Sequence, residues 1–152
     1  MSRTGKRIQA VGLPVALVVA LAGCASSVKF TDMKPSLAPQ TQEMGRIFFY
    51  RPVTFGSALR PDILVNGKRV GQSVAWEFFH LDRPPGKYEV VTRTDVERKV
   101  GFVLEKGQTR YIRFSATMGF LIGHVYGELV DQETALPELE QCKYAGKVQE
   151  GP

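Results

Sequence analysis

Asp62-Ile63-Leu64-Val65-Asn66-Gly67-Lys68-Arg69-Val70 decides the fold class, because it reads as two short strands around a two-residue turn. Asn and Gly both tolerate positive φ, which a type I′ turn needs at its two central positions, and the twist of that turn matches the strands it joins. A strand over Asp62–Val65 that returns over 68–74 is therefore expected. The same grain continues in both directions, with β-branched and aromatic runs separated by Gly, Pro and Asn. Upstream, Arg46-Ile47-Phe48-Phe49-Tyr50-Arg51 makes a strand stopped by Pro52. Downstream, a strand over 76–81 leads through Arg83-Pro84-Pro85-Gly86 into one over 87–93, in which Tyr88, Val90 and Thr92 share a face.

Strands over 99–104 and 109–115, joined by the turn Glu105-Lys106-Gly107-Gln108, are expected to make another hairpin, and 124–130 reads as the last strand. Polar residues are expected outward and apolar ones inward. Residues 132–142 predict one amphipathic helix interrupted by Pro137, with Leu136, Leu139 and Cys142 at helical spacing for packing on the sheet. Seven or eight short strands at near-regular spacing predict an all-β, antiparallel two-sheet β-sandwich with one short C-terminal helix.

Several of these motifs together resemble small bacterial lipoproteins that carry the domain of unknown function numbered 2846. The resemblance runs over 45–143. It rests on Gly45-Arg46-Ile47-Phe48-Phe49-Tyr50-Arg51-Pro52, Val65-Asn66-Gly67, Pro85-Gly86-Lys87-Tyr88, Tyr111-Ile112-Arg113, Glu128-Leu129-Val130, Glu138-Leu139 and Cys142-Lys143. Members often place a glycine before the aromatic of the fourth strand, where this chain has Ala75 before Trp76. The Asn-Gly hairpin followed by a Pro-Gly turn into a Tyr-bearing strand is also similar to transthyretin-like and PEGA-like sandwiches. This implies a fold and no activity.

The amino terminus points to an address. Arg3, Lys6 and Arg7 precede an apolar run over 11–22, and Leu21-Ala22-Gly23-Cys24 follows the pattern of a secretory signal with small residues at its cleavage site. It resembles a bacterial lipobox, which implies cleavage between Gly23 and Cys24, diacylglycerol on the Cys24 thiol and an acyl chain on the new amino terminus. Apart from these covalent lipids no cofactor is expected. The run is shorter than the roughly 20 apolar residues a spanning helix needs and is interrupted by Gly12 and Pro14. Competing readings are an ordinary signal that leaves Cys24 as a free thiol and a buried core helix. Two or more acyl chains anchor stably where one does so only marginally. Ala25, in place of an aspartate, points to the outer membrane, with the domain facing the periplasm.

The expected organisation is a removed signal over 1–23, a lipidated start and flexible linker over 24–44, a sandwich over 45–143 and a polar tail over 144–152. As a coil, about 19 linker residues reach on the order of 25 Å. Removing Arg3, Lys6 and Arg7 from 20 basic residues leaves 17 against 15 acidic ones, a net charge of +2, which is no nucleic-acid footprint. About 110 residues past the linker suffice for one domain.

Candidate chemistry is sparse. His80 and Asp82 share a strand face, and Ser73 or Ser57 are the conceivable nucleophiles, but no Gly-x-Ser-x-Gly elbow, His-Glu-x-x-His or carboxylate cluster accompanies them. No catalytic residue is therefore assigned. Nor is a metal, since His80 and His124 are far apart and structural zinc needs four ligands. Cys142 is the one thiol left after lipidation, either buried and inert or available for an intermolecular disulfide. Gly119, Gly123 and Gly127 punctuate an apolar segment, marking either close backbone approach or an exposed contact loop at Phe120, Leu121 and Ile122. Trp76 and Phe78, or Phe79 alone, could display an aromatic platform. Arg93, Arg98, Lys99, Arg110 and Arg113 could form a basic face. The expected function is a non-catalytic interaction module anchored in the membrane, with an envelope protein as partner and Phe120, Leu121, Ile122 and Trp76 as candidate contacts. The alternative is a lipoprotein that binds envelope glycan or another small ligand.

Overall fold

The computed structural model describes residues 28–34, 37, 43–93, 97–118 and 123–146. The Asn66-Gly67 turn forms as expected: Asn66 has φ 49° and Gly67 φ 80°, and Val65 pairs with Lys68 across it. The Asn66 side chain does a second job, accepting from Glu89 N at 2.8 Å and donating to Lys87 O at 3.3 Å. The hairpin of β2 (Asp62–Val65) and β3 (Lys68–Gln72) is thereby pinned to β5 (Gly86–Arg93).

Among the described residues nine strands form two sheets. One has the order β3-β2-β5-β6, with β6 over Glu97–Leu104. The other has the order β8-β7-β1-β4-β9, from β1 (Gly45–Tyr50), β4 (Glu77–Arg83), β7 (Thr109–Met118), β8 (Gly123–Val130) and β9 (Lys143–Tyr144). The two-sheet sandwich is as the spacing of strands predicts. Its pairing is antiparallel except at β1–β7 and β4–β9, which are parallel. The expected hairpin of 99–104 and 109–115 does not form: β6 pairs with β5 while β7 pairs with β1 and β8, so the turn over 105–108 carries the chain from one sheet to the other. Turn signals mark reversals of the chain, not which strands pair. They carry no information about which distant strand a chain meets when it returns from the other sheet.

The core lies between the sheets and includes Ile47, Phe49, Ile63, Val65, Phe79, Val90, Ile112 and Phe114. Phe49 stacks on Phe79 with ring centroids 4.9 Å apart. Tyr88 packs against this core and Val90 and Thr92 are buried, so the predicted face of β5 points inward. Thr92 Oγ1 donates to Val125 O at 2.9 Å, tying the sheets together where β8 approaches β5.

A third layer covers the outside of the five-stranded sheet. Every residue of β1 is buried, because Phe48 and Tyr50 point away from the sandwich core into a second cluster with Phe30, Phe78, Tyr111, Ala135, Leu139 and Cys142. Its cover is α2 (Gln132–Leu139) and a strap that includes α1 (Phe30–Met33). Asp131 caps α2, its carboxylate accepting from Thr134 N at 2.7 Å. The helix ends at Leu139 rather than continuing to 142, and Pro137 inside it offers no N–H to the preceding turn.

Two boundaries are corrected. The expected flexible linker over 24–44 does not hold for 28–34, since Phe30 is 2% exposed and Lys29 bridges to Lys143. The polar tail does not start at 144, because Tyr144 belongs to β9 and Ala145 N donates to Phe78 O at 2.9 Å.

Candidate functional site

Register places the outward side chains of the five-stranded sheet in rows. One row reads Glu128, Arg113, Tyr50, Phe78 and Tyr144 from β8 to β9. The next reads Val130, Tyr111, Phe48 and His80, and a third holds Thr109, Arg46 and Asp82. Helix α2 and the strap sit over the first two rows. Phe30 meets Phe78 and Phe48 edge-on, with centroids 5.3 and 5.9 Å away, and Phe48 stacks on Tyr111 at 5.5 Å.

A polar latch fixes α2 to this face. Glu138 accepts from Tyr50 Oη at 2.6 Å and from Arg113 Nη1 at 2.7 Å. Arg113 Nε also donates to Glu128 at 2.9 Å. Burial and the Glu138 carboxylate push the Tyr50 phenol well above its ordinary value, and the two carboxylates push the Arg113 guanidinium up. Tyr50 thus stays a donor and Arg113 a cation over the whole working pH range. Neither Tyr50 nor Glu138 stands out in the sequence, since their partnership spans 88 positions.

His80 and Asp82 do share the outer face, as strand alternation requires. Their chemistry is otherwise spoken for: Arg46 Nε and Nη2 grip both Asp82 oxygens at 2.7 and 2.8 Å, which holds the carboxyl below its ordinary range. His80 packs on Phe48 and Tyr144, and its Nδ1 is buried with no hydrogen-bond partner. Burial, reinforced by Arg46, lowers its imidazole against the opposing pull of Asp82. Ser73 lies on the other side of the sheet. It lines a space of about 10 Å³ with Phe49, Arg51 and Phe79, room for about one water. Ser57 is exposed in the 52–60 loop, so neither serine joins His80 in a nucleophilic arrangement.

That loop is organised by Arg51, which the strand pattern shows only as a terminal polar residue. It is 0% exposed. Its guanidinium donates to Leu59 O at 2.8 Å, Gly56 O at 2.8 Å, Phe55 O at 2.9 Å and Ser73 O at 3.3 Å. Burial lowers its pKa, and four carbonyl dipoles stand in for a counter-ion.

Trp76 precedes β4 rather than lying in it. It is half-buried with φ 60°, a backbone region that bulky side chains rarely adopt. Its N–H donates to Arg51 O at 2.7 Å, its carbonyl accepts from Lys143 N at 2.9 Å and its indole Nε1 donates to Thr54 Oγ1 at 2.8 Å. The strained turn therefore sits at Trp76, one residue after the position where a glycine is usual in the resembling lipoproteins. Phe78 and Phe79 are buried, which leaves Trp76 alone of the three to meet a partner.

The expected basic face does not assemble. Arg93 pairs with Glu97, and Lys99 with Glu89 and Glu97, beside the four-stranded sheet. Arg98 lies over the Tyr126 ring, Arg110 donates to Val103 O, and Arg113 serves the latch on the far side. Cys142 is 0% exposed, and burial pushes its thiol up to about 12. A Cβ on Gly127 would come within 3.0 Å of Phe114 and one on Gly123 within 2.9 Å of Leu59, so both glycines serve close packing. Gly23, Cys24, Phe120, Leu121 and Ile122 lie outside the described residues.

A family model described as "Protein of unknown function (DUF2846)" matches residues 41–126, more than half of the chain. The chain belongs to this family. The DUF2846 match spans β1 to the middle of β8, and is shorter than the resemblance over 45–143, leaving α2 and β9 outside it. An "Uncharacterized protein" of Haemophilus influenzae is similar at 23% identity over 122 residues, covering 80% of this chain and 72% of that protein. No solved structure matches.

Proposed function

We propose that this DUF2846 chain is a lipid-anchored protein of the cell envelope, held at the periplasmic face of the outer membrane by diacylglycerol and an acyl chain on Cys24. It works without turnover, as an interaction module for another envelope protein. The observation that carries the anchor is Leu21-Ala22-Gly23-Cys24 behind a basic start and a short apolar run. The module reading is supported by Trp76, a half-exposed aromatic held by three hydrogen bonds. Rigid aromatic anchors lose little entropy on binding and dominate many protein interfaces. Phe55, 50% exposed, lies in the same loop, next to the Thr54 that Trp76 grips.

Two measurements test it. Growth with an alkyne fatty acid labels the wild type and leaves the Cys24→Ala protein unlabelled and released from membranes. Label on Cys24→Ala, or none on the wild type, rejects the anchor. A photocrosslinker at Trp76 or Phe55 gives a recurrent protein adduct in cells. Adducts to polysaccharide alone would move the function to glycan binding.

A further inference from the structure

We infer that the β9 edge of the five-stranded sheet lies against anionic phospholipid headgroups of the leaflet that holds the lipid anchor. This rests on the anchoring reading of Cys24 and adds to it an orientation. A linker of 24–44 behaving as a coil leaves the domain free to tumble well clear of the bilayer. The docked strap removes that freedom. Phe30 is buried between Phe48 and Phe78, Tyr144 N donates to Val28 O at 2.7 Å, and Phe30 N donates to Cys142 O at 3.2 Å. The chain is therefore fixed to the sheet at Val28 and Phe30. Cys24 lies four residues before Val28, and a fully extended chain spans at most about 3.3–3.6 Å per residue, so the lipidated atom is within roughly 14 Å of that edge.

The edge carries chemistry suited to such a surface. Lys29 and Lys143 are exposed and face each other as a cross-strand pair, an arrangement that is unfavourable for like charges in water. Neither makes an ion pair among the described residues. That includes Glu77, the β4 residue in register with Lys143. Anionic headgroups relieve that repulsion. Val28, 44% exposed beside them, completes the contact. The opposite edge, β8, is four strand spacings away, about 19 Å.

The full lipidated protein in vesicles of phosphatidylethanolamine and phosphatidylglycerol with a headgroup quencher provides the test. A bimane label is placed at Ala145→Cys on the β9 side or Leu129→Cys on β8, where buried Cys142 does not compete for reagent. Quenching at 145 is expected to exceed that at 129 by at least about twofold, given the 14 and 19 Å spans. Phe30→Ala, which frees the strap, and a twelve-residue Gly/Ser insertion after Ser27, which leaves the fold untouched, each lower the value at 145 toward that at 129. Equal quenching at both positions, with intact mass showing lipid on Cys24, overturns the orientation alone. A mass without lipid overturns the anchor and the orientation together.

Discussion

Replacing Glu138 by alanine is expected to destabilise the domain by more than the loss of one surface ion pair. Tyr50 is 1% exposed, and the Glu138 carboxylate is the hydrogen-bond acceptor of its hydroxyl, at 2.6 Å. Without it the hydroxyl is stranded, which costs about 1–3 kcal/mol. Arg113 loses one contact but keeps Glu128 at 2.9 Å, so it adds little. Tyr50→Phe takes the other route: the hydroxyl goes, and Glu138 remains paired with Arg113 at 2.7 Å, for a cost of about 0.5–1.5 kcal/mol. In the double variant no hydroxyl is stranded. Its loss should fall short of the sum of the singles by about 1 kcal/mol. Urea unfolding of a soluble form starting at Ala25, followed by the single tryptophan, Trp76, measures all four corners of the cycle. A loss near 2 kcal/mol for Glu138→Ala corresponds to roughly 8 °C in Tm for a domain of this size. Additivity within about 0.3 kcal/mol would refute the stranded-hydroxyl argument.

Cys142 should resist a thiol reagent at pH 8 in the folded protein, react at the rate of α2 opening and react faster in Glu138→Ala. The same burial predicts a monomer on a nonreducing gel, and a dimer there would contradict it. His80 is held below its ordinary 6.5 in the fold, so the unfolded chain takes up its proton first as pH falls. The stability His80 contributes is therefore fully present above 6.5 and lost as pH drops through the folded value, and His80→Phe should flatten Tm against pH over that window. Arg51→Lys replaces a planar fork serving four carbonyls with a single ammonium, and should cost at least about 2 kcal/mol. Hydrogen exchange at Leu59 N, bonded to Gly56 O, should accelerate with it, and wild-type protection there would show that the loop holds itself.

The Asn66-Gly67 hairpin was legible because its signal is local. Asn66-Gly67 specifies its turn by backbone sterics alone, and the alternation of Tyr88, Val90 and Thr92 specifies a face. The parallel β1–β7 pair was not legible, because nothing near Ile47 or Ile112 names the partner. The third layer left a trace that hairpin logic passes over. An unbroken apolar run such as Ile47-Phe48-Phe49-Tyr50 cannot leave one face wet, so it calls for a cover on both sides of the sheet. Part of that cover is found at Leu136, Leu139 and Cys142, where helical spacing shows it. The other part is Phe30, the one aromatic in a polar stretch, which no periodicity marks.

The candidate site follows the same division. Residues whose role follows from local spacing, such as Cys142 in phase with Leu136 and Leu139, can be placed from their neighbours in sequence. Those whose role depends on a distant partner cannot. Asp82 looked available to His80 because they sit two positions apart on one strand, yet the residue that claims its carboxylate is Arg46, 36 positions earlier and directly opposite on β1. A bidentate guanidinium–carboxylate pair is stronger than a neutral imidazole contact. The register of β1 on β4 therefore decides what Asp82 does. The register of β1 on β7 sets Tyr50 beside Arg113 and brings both under Glu138, turning three scattered polar residues into the fastener of the outer layer. Strand register, rather than any local motif, distributes the polar chemistry of this domain, and it directs that chemistry to holding α2 against the sheet.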